Sequence, residues 1–279
     1  MSWFRETLHG DFETGLKIDR ELYRSRTDFQ DVLVFENSIL GRVLVLDGTI
    51  QTTERDEAFY HEMLTHPALN AHGTPRDVLI VGGGDGGVLR EVLKHDVARA
   101  TMVELDPQVV SLSREYLPSL SAGAFDDPRT EVIYADAAAY VAETDRRFDV
   151  VLVDSPDPIG PAAVLFGADF YADCRRLLRD DGFLVTQNGV PFLQTEELTD
   201  GGKVLGGLFT HTGFYFSAVP LYTGGDMAFG WASQARNLAA LPVEDVGFET
   251  HCYNAATHRG AFATPPWIAR ALAGSPAAA

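Results

Sequence analysis

The sequence of 279 residues has few cysteines, few basic residues and no long apolar run. Two cysteines, Cys174 and Cys252, are too few for a disulfide framework and are typical of a reducing compartment. No apolar stretch approaches the roughly 20 residues that a membrane-spanning helix needs. The N-terminal segment also lacks the basic stretch and apolar core of a secretory signal. We therefore expect a cytoplasmic protein without membrane contact.

Positive charge is scarce, since 22 lysines and arginines stand against 40 aspartates and glutamates, a formal net charge of −18. A surface with this charge repels phosphate backbones, so we expect no nucleic-acid partner. It attracts cationic small molecules, although solubility or adaptation to salt explains most acidic surfaces. Hydrophobic residues make up 46% of the chain, which excludes a disordered protein.

Two sequence patterns meet near residue 55. Residues 1–55 contain short β-like runs separated by Asp, Asn and Gly, which predict a small N-terminal β domain. Its predicted strands are Leu22–Arg26, Asp31–Glu36, Ile39–Leu46 and Thr49–Thr52. Residues 56–279 begin with a helical pattern and continue with alternating strands and helices, which predict a parallel sheet with helices on both faces.

The alternation ends in residues 213–233, where two β-like runs surround a proline and a Gly-Gly pair. This pattern predicts an antiparallel hairpin at one edge of the sheet. A doubly wound sheet that ends in such a hairpin resembles the Rossmann-like fold of AdoMet-dependent methyltransferases, rather than the nicotinamide-binding type. The predicted fold class is therefore α/β, with a methyltransferase-like catalytic domain after the β domain.

A glycine-rich turn, GGGDGG at residues 82–87, directly follows an apolar strand. Gly82, Gly84 and Gly87 have the G-x-G-x-x-G spacing in the strand–turn–helix context of nucleotide-binding loops. Glycine suits the tight turn and lets a ligand approach the backbone. Glu104, at the end of the next strand, can accept hydrogen bonds from both ribose hydroxyls. The pattern predicts a nucleoside site but does not choose between NAD and an AdoMet-like ligand.

The carboxylate of Asp85 at the tip of this turn distinguishes between ligands. It would repel a pyrophosphate or the α-carboxylate of AdoMet, because two like charges about 4 Å apart interact by roughly 4 kcal/mol at an effective dielectric constant near 20. Decarboxylated AdoMet carries only an amine at that position and would be attracted. Asp85 is also a candidate cap for the following helix, and the two roles are compatible.

A second acidic loop, DSPDPIGP at residues 154–161, follows the predicted strand Asp149–Val153. Three prolines stiffen this loop, which also contains a glycine, around the carboxylates of Asp154 and Asp157. Acidic turns are common, but ligands of doubly wound folds bind at the carboxyl ends of the strands. We therefore expect this loop to share one edge of the sheet with Asp85.

Together with four further segments, these loops resemble the spermidine synthases, which are polyamine aminopropyltransferases. The matching segments run in order over nearly the whole chain: LVLDGTIQTTERDEAFYHEM, GGGDGG with REVLKH, VELD, DSPDPIGPA, QNGVPFLQ and PLYTGG. The pair GGGDGG and DSPDPIGP is highly specific to this family. The resemblance implies that the aminopropyl group of decarboxylated AdoMet, the co-substrate, is transferred to putrescine, giving spermidine and methylthioadenosine. It implies no prosthetic group, and it implies a homodimer or homotetramer.

The resemblance also implies roles for individual residues, with Asp154 as the catalytic proton acceptor. The implied donor site comprises Gln30, Gln51, Gly82, Gly84, Asp85, Glu104, Asp136, Ala137 and Pro161. The implied amine site comprises Tyr60, His61, Asp85, Asp154, Ser155, Pro156, Asp157 and Tyr222. The family often has Asp-Gly where this chain has Asp136-Ala137, which puts only the detail of one backbone contact in doubt.

Alternatives remain open at this point. The same fold could serve an AdoMet-dependent N-methyltransferase acting on a diamine, or an aminopropyltransferase for cadaverine, agmatine or a longer polyamine. No metal site is predicted, because the histidines of the DEAFYHEMLTH segment do not form H-E-x-x-H. His66, His72 and His95 lie on predicted helices or at their ends, where surface or capping histidines are usual.

Overall fold

The computed structural model describes residues 2–158 and 160–274. The first part of the chain forms two antiparallel sheets, a hairpin and a four-stranded meander. The strands of the hairpin are β1 (Ser2–His9) and β2 (Phe12–Ile18), and those of the meander are β3 (Arg20–Arg26), β4 (Asp31–Asn37), β5 (Gly41–Leu46) and β6 (Thr49–Thr53). Neither sheet is hydrogen-bonded to the larger sheet that follows.

The hairpin of β1 and β2 is absent from the sequence prediction. Its apolar side chains do not alternate cleanly with a buried face, since Trp3 is 55% exposed and Phe12 is 42% exposed. A strand that buries little surface leaves only a weak periodic signal. The strand predicted from Ile39 begins instead at Gly41, because Ile39 lies in the turn before β5 and is exposed.

The second part of the chain is built on seven strands. These are β7 (Asp77–Gly82), β8 (Arg99–Glu104), β9 (Thr130–Tyr134), β10 (Phe148–Asp154), β11 (Leu178–Gln187), β12 (His211–Ala218) and β13 (Asp226–Ser233). The helices are α1 (Glu57–His72), α2 (Gly87–Leu93), α3 (Pro107–Tyr116), α4 (Pro118–Ser121), α5 (Ala137–Glu143), α6 (Ala168–Leu177), α7 (Thr195–Leu208), α8 (Ala255–Ala261) and α9 (Pro266–Leu272). Short 3-10 segments occupy Ala124–Asp126, Gly160–Phe166 and Leu238–Ala240.

The order of the strands in this sheet is β12-β13-β11-β10-β7-β8-β9. Strands β7 to β11 are parallel, whereas β13 is antiparallel to both β11 and β12. The chain moves from β7 outward to β8 and β9, then returns to the other side of β7 as β10. This reversal is the topological switch point at which ligands of doubly wound folds bind. The predicted doubly wound sheet with a C-terminal antiparallel hairpin is confirmed.

The central strand β7 is apolar throughout because helices cover both faces of the sheet. Val78 and Ile80 pack in a cluster with the side chains of α1 and α2, while Leu79 and Val81 pack in a cluster with those of α5 and α6. All four are fully buried, and each contributes about 1.5–3 kcal/mol to stability. The core thus holds the carboxyl end of β7 rigidly. No helix among residues 2–158 and 160–274 is long and apolar enough to cross a membrane.

Helix α1 is buried on most of its circumference, and this corrects the interpretation of one histidine. His66 is fully buried, with Nε2 at 3.0 Å from a carboxylate oxygen of Glu91 and Nδ1 at 3.0 Å from Nε2 of His95. The expectation of a surface or capping histidine is therefore wrong for His66. Sequence periodicity did not show that α1 packs against both the sheet and α2.

Candidate active site

A cavity of about 630 Å³ lies at the carboxyl ends of β7, β8, β9 and β10. Strand β1, the β5–β6 turn and the loop before β13 close its other side. The cavity brings together all the predicted site residues whose side chains the structure describes: Gln30, Gln51, Tyr60, His61, Gly82, Gly84, Asp85, Glu104, Asp136, Ala137, Asp154, Ser155, Pro156, Asp157 and Tyr222. The side chain of Pro161 lies outside the described part of the chain.

The glycine turn joins the ends of β7 and β10. Gly82 pairs with Asp154 in the parallel sheet, and the backbone N–H of Gly83 donates to the Asp154 carbonyl at 3.0 Å. Gly82 has a φ of +81°, and a Cβ there would lie 2.1 Å from that same carbonyl oxygen. Only glycine fits, because both the backbone conformation and the close approach exclude a side chain. The two acidic loops are thereby held against each other.

Asp85, which precedes the N-cap Gly86 of α2, contacts the first turn of this helix and faces the cavity. One of its carboxylate oxygens, Oδ1, accepts the backbone N–H of Gly87 at 2.7 Å, and Oδ2 lies 3.3 Å from Nε2 of His61. Burial raises the pKa of Asp85, but the charge and hydrogen bond of His61 outweigh this effect and leave the pKa below its ordinary value. Asp85 is consequently ionised at neutral pH.

Two further acids follow the ends of β8 and β9. Glu104 accepts the backbone N–H of Asp106 at 2.9 Å, and Asp136 caps α5 by accepting the backbone N–H of Ala138 at 2.8 Å. Burial, with help from the charges of Asp106 and Asp154, raises the pKa of Glu104 to about 7. Each of these carboxylates retains accepting capacity toward the cavity, as hydroxyl or amino groups of a nucleoside require.

Gln30 reaches the cavity from the turn between β3 and β4, and Gln51 reaches it from β6. The side-chain amide of Gln30 donates to Asp106 at 3.1 Å, beside a 2.6 Å hydrogen bond from the hydroxyl of Thr27 to the same oxygen. Asp106 is buried and caps α3, and it was not predicted as part of the site. The hydroxyl of Tyr222 donates to the backbone carbonyl of Gln51. These contacts tie the meander to both ends of the cavity.

Asp154 is held by a neutral donor. The hydroxyl of Tyr60, on α1, donates to Oδ1 of Asp154 at 2.8 Å, and Oδ2 lies over the backbone of Gly83. Burial, together with the negative charge of Asp85, raises the pKa of Asp154 to about 6. Among the described residues, no lysine or arginine forms an ion pair with Asp154. The carboxylate can therefore receive a cationic group.

The far end of the cavity holds Asp157 and an acid that was not predicted, Glu6 of β1. Burial raises the pKa of both, and the charge of Asp157 raises that of Glu6 further. Behind them, burial and the charge of Asp157 raise the pKa of Glu197 to about 7. Its carboxylate accepts from the side chain of Gln194 at 2.9 Å. A concentration of acids with raised pKa values is a site for a positively charged ligand.

The sequence interpretation missed three residues that line the cavity, Glu6, Gln187 and Gln194, and two that lie behind His61, Glu57 and Arg90. Glu57 stands four residues before His61 in α1, so its helical spacing was a usable signal. Gln187 and Gln194 begin and end the QNGVPFLQ segment. Glu6 carried no signal, because its strand was not predicted. Within the described ranges no group of three or more His, Cys, Asp or Glu side chains is arranged to hold a metal ion.

Comparison with known proteins agrees with this geometry. Residues 57–241 match the family model described as the spermine/spermidine synthase domain, and residues 2–54 match that of the spermidine synthase tetramerisation domain. The chain belongs to the spermidine and spermine synthase family. The family predicted from the sequence is thereby confirmed.

Full-length relatives and solved structures support the same assignment. Polyamine aminopropyltransferase 1 of Pseudomonas aeruginosa is 50% identical, and the polyamine aminopropyltransferase of Sodalis glossinidius is 47% identical, each over 98% of both chains. A crystal structure of spermidine synthase with the transition-state analogue AdoDATO superposes with a TM-score of 0.94 at 36% identity, covering 98% of this chain and 95% of that one. Spermidine synthase of Thermotoga maritima gives a TM-score of 0.91 at 35% identity, covering 97% and 94%. The predicted enzyme class, an aminopropyltransferase, is confirmed.

Proposed function

We propose that this enzyme transfers the aminopropyl group of decarboxylated AdoMet to putrescine, giving spermidine and methylthioadenosine. The observation that carries the proposal is a single cavity with a nucleoside-type strand edge at one end and, at the other, acids that pair with no lysine or arginine of the described residues. The family assignment and the likeness to a spermidine synthase bound to AdoDATO support the same reaction.

The donor is proposed to lie along the ends of β7, β8 and β9. Glu104 would accept hydrogen bonds from the ribose hydroxyls, and Asp85 would hold the amine of the aminopropyl group. The remaining donor residues are proposed to be Gln30, Gln51, Gly82, Gly84, Asp136, Ala137 and Pro161. The glycines leave room for close approach of the donor to the backbone, since even a Cβ at Gly84 would lie 3.0 Å from the Glu104 carboxylate.

The diamine is proposed to lie between Asp154 and Asp157, lined by Tyr60, His61, Ser155, Pro156 and Tyr222. The hydroxyl of Ser155 is buried and has no hydrogen-bond partner among the described residues. A buried hydroxyl without a partner costs free energy, so a ligand that supplies one is favoured. Tyr60 and Tyr222 pack edge to face with ring centroids 5.9 Å apart, which makes a rigid wall along the proposed junction of the two substrates.

The reaction is an in-line displacement at the methylene group next to the sulfonium. The new bond joins the amine nitrogen to this carbon, the carbon–sulfur bond breaks, and its electron pair leaves with neutral methylthioadenosine. Positive charge moves from sulfur to nitrogen, so a fixed carboxylate beside the nitrogen stabilises the transition state more than the ground state. Asp154 is proposed to fill this place and to accept the proton that the nitrogen loses.

The raised pKa of Asp154 suits this role. An alkylamine has a pKa near that of lysine, about 10.4, far above the ordinary value of about 3.9 for aspartate. Burial brings the pKa of Asp154 to about 6, which narrows the difference without leaving the carboxylate protonated at neutral pH. The alignment of two cations that repel each other in water supplies the other main contribution to the rate.

The chain is also proposed to divide into domains at residues 1–55 and 56–279 and to assemble as a homodimer or homotetramer. Support comes from the match of residues 2–54 to a tetramerisation domain and from the exposed aromatic side chains of Trp3 and Phe12 on the hairpin. Native mass spectrometry of the wild type and of a Trp3→Ser, Phe12→Ser variant tests this proposal. A monomeric wild-type enzyme would contradict it.

The deciding experiment for the reaction is mass-spectrometric product analysis with decarboxylated AdoMet and a panel of amines: putrescine, cadaverine, agmatine and spermidine. Spermidine and methylthioadenosine in equal amounts from putrescine are the expected products. AdoMet is run in parallel, because a methylated diamine would identify an N-methyltransferase. Faster turnover with another amine would move the acceptor assignment to that amine.

A further inference from the structure

A histidine with a carboxylate at each ring nitrogen lies beneath the glycine turn. Nδ1 of His61 is 2.6 Å from Oε2 of Glu57, and Nε2 is 3.3 Å from Oδ2 of Asp85. The His61 side chain is only 2% exposed, and the carboxylates of Glu57 and Asp85 are 13% exposed. Water therefore screens the charges of these three side chains only weakly.

The geometry determines the protonation state of the ring. A neutral imidazole has one N–H and one lone pair, and here the lone pair would point at a buried carboxylate. An imidazolium donates to both carboxylates, so it is the form that fits. Burial lowers the pKa of His61, but Asp85 and Glu57 together raise it well above its ordinary value.

Glu57 is itself anchored from α2. Nη2 of Arg90 donates to Oε2 of Glu57 at 2.8 Å, and Nε of Arg90 donates to the buried Glu91 at 2.6 Å. A third bond runs from Arg90 to the backbone carbonyl of Leu120 at 2.7 Å. The guanidinium is thus fixed at three points, and Glu57 cannot swing away from His61 without breaking a buried ion pair.

The position of the ring is also restricted by packing. A Cβ at Gly87 would lie 2.2 Å from the His61 ring, so the ring rests directly on the first residue of α2. That same residue donates its backbone N–H to Asp85. Gly87 therefore fixes the positions of both the His61 ring and the Asp85 carboxylate.

The other charged or titratable groups near His61 are carboxylates and a phenol. Asp56 precedes α1, Asp154 lies across the cavity, and Tyr60 neighbours His61 with ring centroids 5.5 Å apart. Two buried carboxylates that face one cavity, Asp85 and Asp154, repel each other, and one of them tends to take up a proton. The imidazolium next to Asp85 lowers the pKa of Asp85, so the raised pKa of the pair belongs to Asp154.

We propose that Glu57 is a positioning residue for aminopropyl transfer, which holds His61 as an imidazolium against Asp85 and so keeps Asp85 ionised and aimed at the donor's amine. This inference rests on the proposed function, because it takes the donor amine as the ligand of Asp85. Glu57 acts through His61, and it contributes no step to bond formation.

The first test uses the wild-type enzyme without any substrate. Histidine labelled with ¹⁵N, with the His61 signal assigned by its loss in His61→Gln, reports the protonation of both ring nitrogens by NMR. We expect both nitrogens of His61 to remain protonated from pH 6 to pH 8.5. A neutral His61 at pH 7.5 would overturn the inference, whatever reaction the enzyme catalyses.

The second test is Glu57→Gln, which keeps the shape of the side chain and removes its charge. We expect His61 to lose its second proton near neutral pH, the KM for decarboxylated AdoMet to rise about tenfold, and kcat to change by less than about threefold. An unchanged His61 titration and donor KM would refute the role of Glu57.

Glu62→Gln is the matched control on the same helix. Glu62 is more fully buried than Glu57, at 2% exposure, and its carboxylate accepts the backbone N–H groups of His251, Cys252 and Tyr253. We expect this variant to lower Tm while leaving the His61 titration and the donor KM unchanged. If Glu57→Gln does not fold, the wild-type titration still decides the question. A wild-type enzyme that transfers no aminopropyl group would instead refute the proposed function.

Discussion

The nucleoside end and the amine end of the cavity hold their carboxylates in different ways. At the nucleoside end, each acid accepts a backbone N–H from the turn or helix that follows its own strand. The acceptor and donor pairs are Asp85 with Gly87, Glu104 with Asp106, and Asp136 with Ala138. At the amine end, Asp154 accepts from the hydroxyl of Tyr60, and Asp157 lies beside the side-chain amides of Gln187 and Gln194.

This difference matches the chemistry of the two ligands. Backbone N–H groups stabilise a carboxylate without neutralising it fully, which suits an acid that must accept from hydroxyl and amino groups. The acids of the amine end are buried beside neutral donors; their pKa values are raised, as is that of Glu104 at the nucleoside end, so the ends differ in their donors rather than in the pKa shift. A bound diamine would supply positive charge beside these acids. The following predictions test this contrast, beginning with the largest effect.

Asp154→Asn should lower kcat about a thousandfold, because the proton acceptor and the charge beside the attacking nitrogen are both lost. Affinity for methylthioadenosine should change by less than about threefold, since Asp154 belongs to the amine end. Steady-state kinetics and calorimetric binding measure the two quantities. A variant with near-normal turnover would remove Asp154 from its proposed role.

Glu104→Gln should stabilise the ligand-free enzyme while weakening nucleoside binding. Burial raises the pKa of Glu104 to about 7, so the folded protein binds a proton more readily than the unfolded chain does. Wild-type stability therefore falls as pH rises from about 4.5 to about 7, and the full cost of ionisation, up to about 3 kcal/mol, is present above that range.

Removing that cost should raise Tm by several degrees at pH 8 and by less at pH 6. Calorimetric unfolding of both proteins at the two pH values measures the difference. An equal shift at both values would mean that ionisation of Glu104 is not its cause.

Asp157→Asn should raise the KM for putrescine about tenfold, because a charge-assisted hydrogen bond to one ammonium group becomes a neutral one. The KM for decarboxylated AdoMet should stay within about twofold. Initial-rate kinetics with each substrate varied in turn separate the two values. Equal increases in the two KM values would contradict the assignment of Asp157 to the amine end alone.

Glu6→Gln should have the smallest effect, an increase of about threefold in the KM for putrescine. One oxygen of Glu6 already accepts the backbone N–H of Ile50 at 2.7 Å, so only part of its charge is available to the amine. Glu13→Gln on the neighbouring strand is the control, because the Glu13 side chain is 43% exposed and does not line the cavity. The same KM for both variants would exclude Glu6 from the amine end.

The two ends also differ in how far the sequence predicts them. The strand-end residues of the nucleoside end are local: Gly82, Asp85 and Glu104 each stand at or just after a strand end, so spacing alone predicts their common edge, whereas Gln30 and Gln51 come from the distant meander. The confirmed fold and family follow from such local patterns and from the resemblance. The roles of the individual residues remain predictions.

The amine end assembles from distant parts of the chain, which periodicity does not bring together. Glu6 arrives on a hairpin whose exposed strands have no clear alternation, and Gln194 arrives at the start of α7. The ion pairs of Glu57 and the burial of His66 likewise depend on how α1 packs against α2. Long-range packing of this kind is invisible to a reading of local pattern.

A crossed binding experiment tests the division of the cavity most directly. The affinities of methylthioadenosine and putrescine are measured by calorimetry for the wild type, Glu104→Gln and Asp157→Asn. We predict that Glu104→Gln lowers only the affinity for methylthioadenosine, and that Asp157→Asn lowers only the affinity for putrescine, each about tenfold. A comparable loss of affinity for both ligands in either variant would contradict the division of the cavity into two ends.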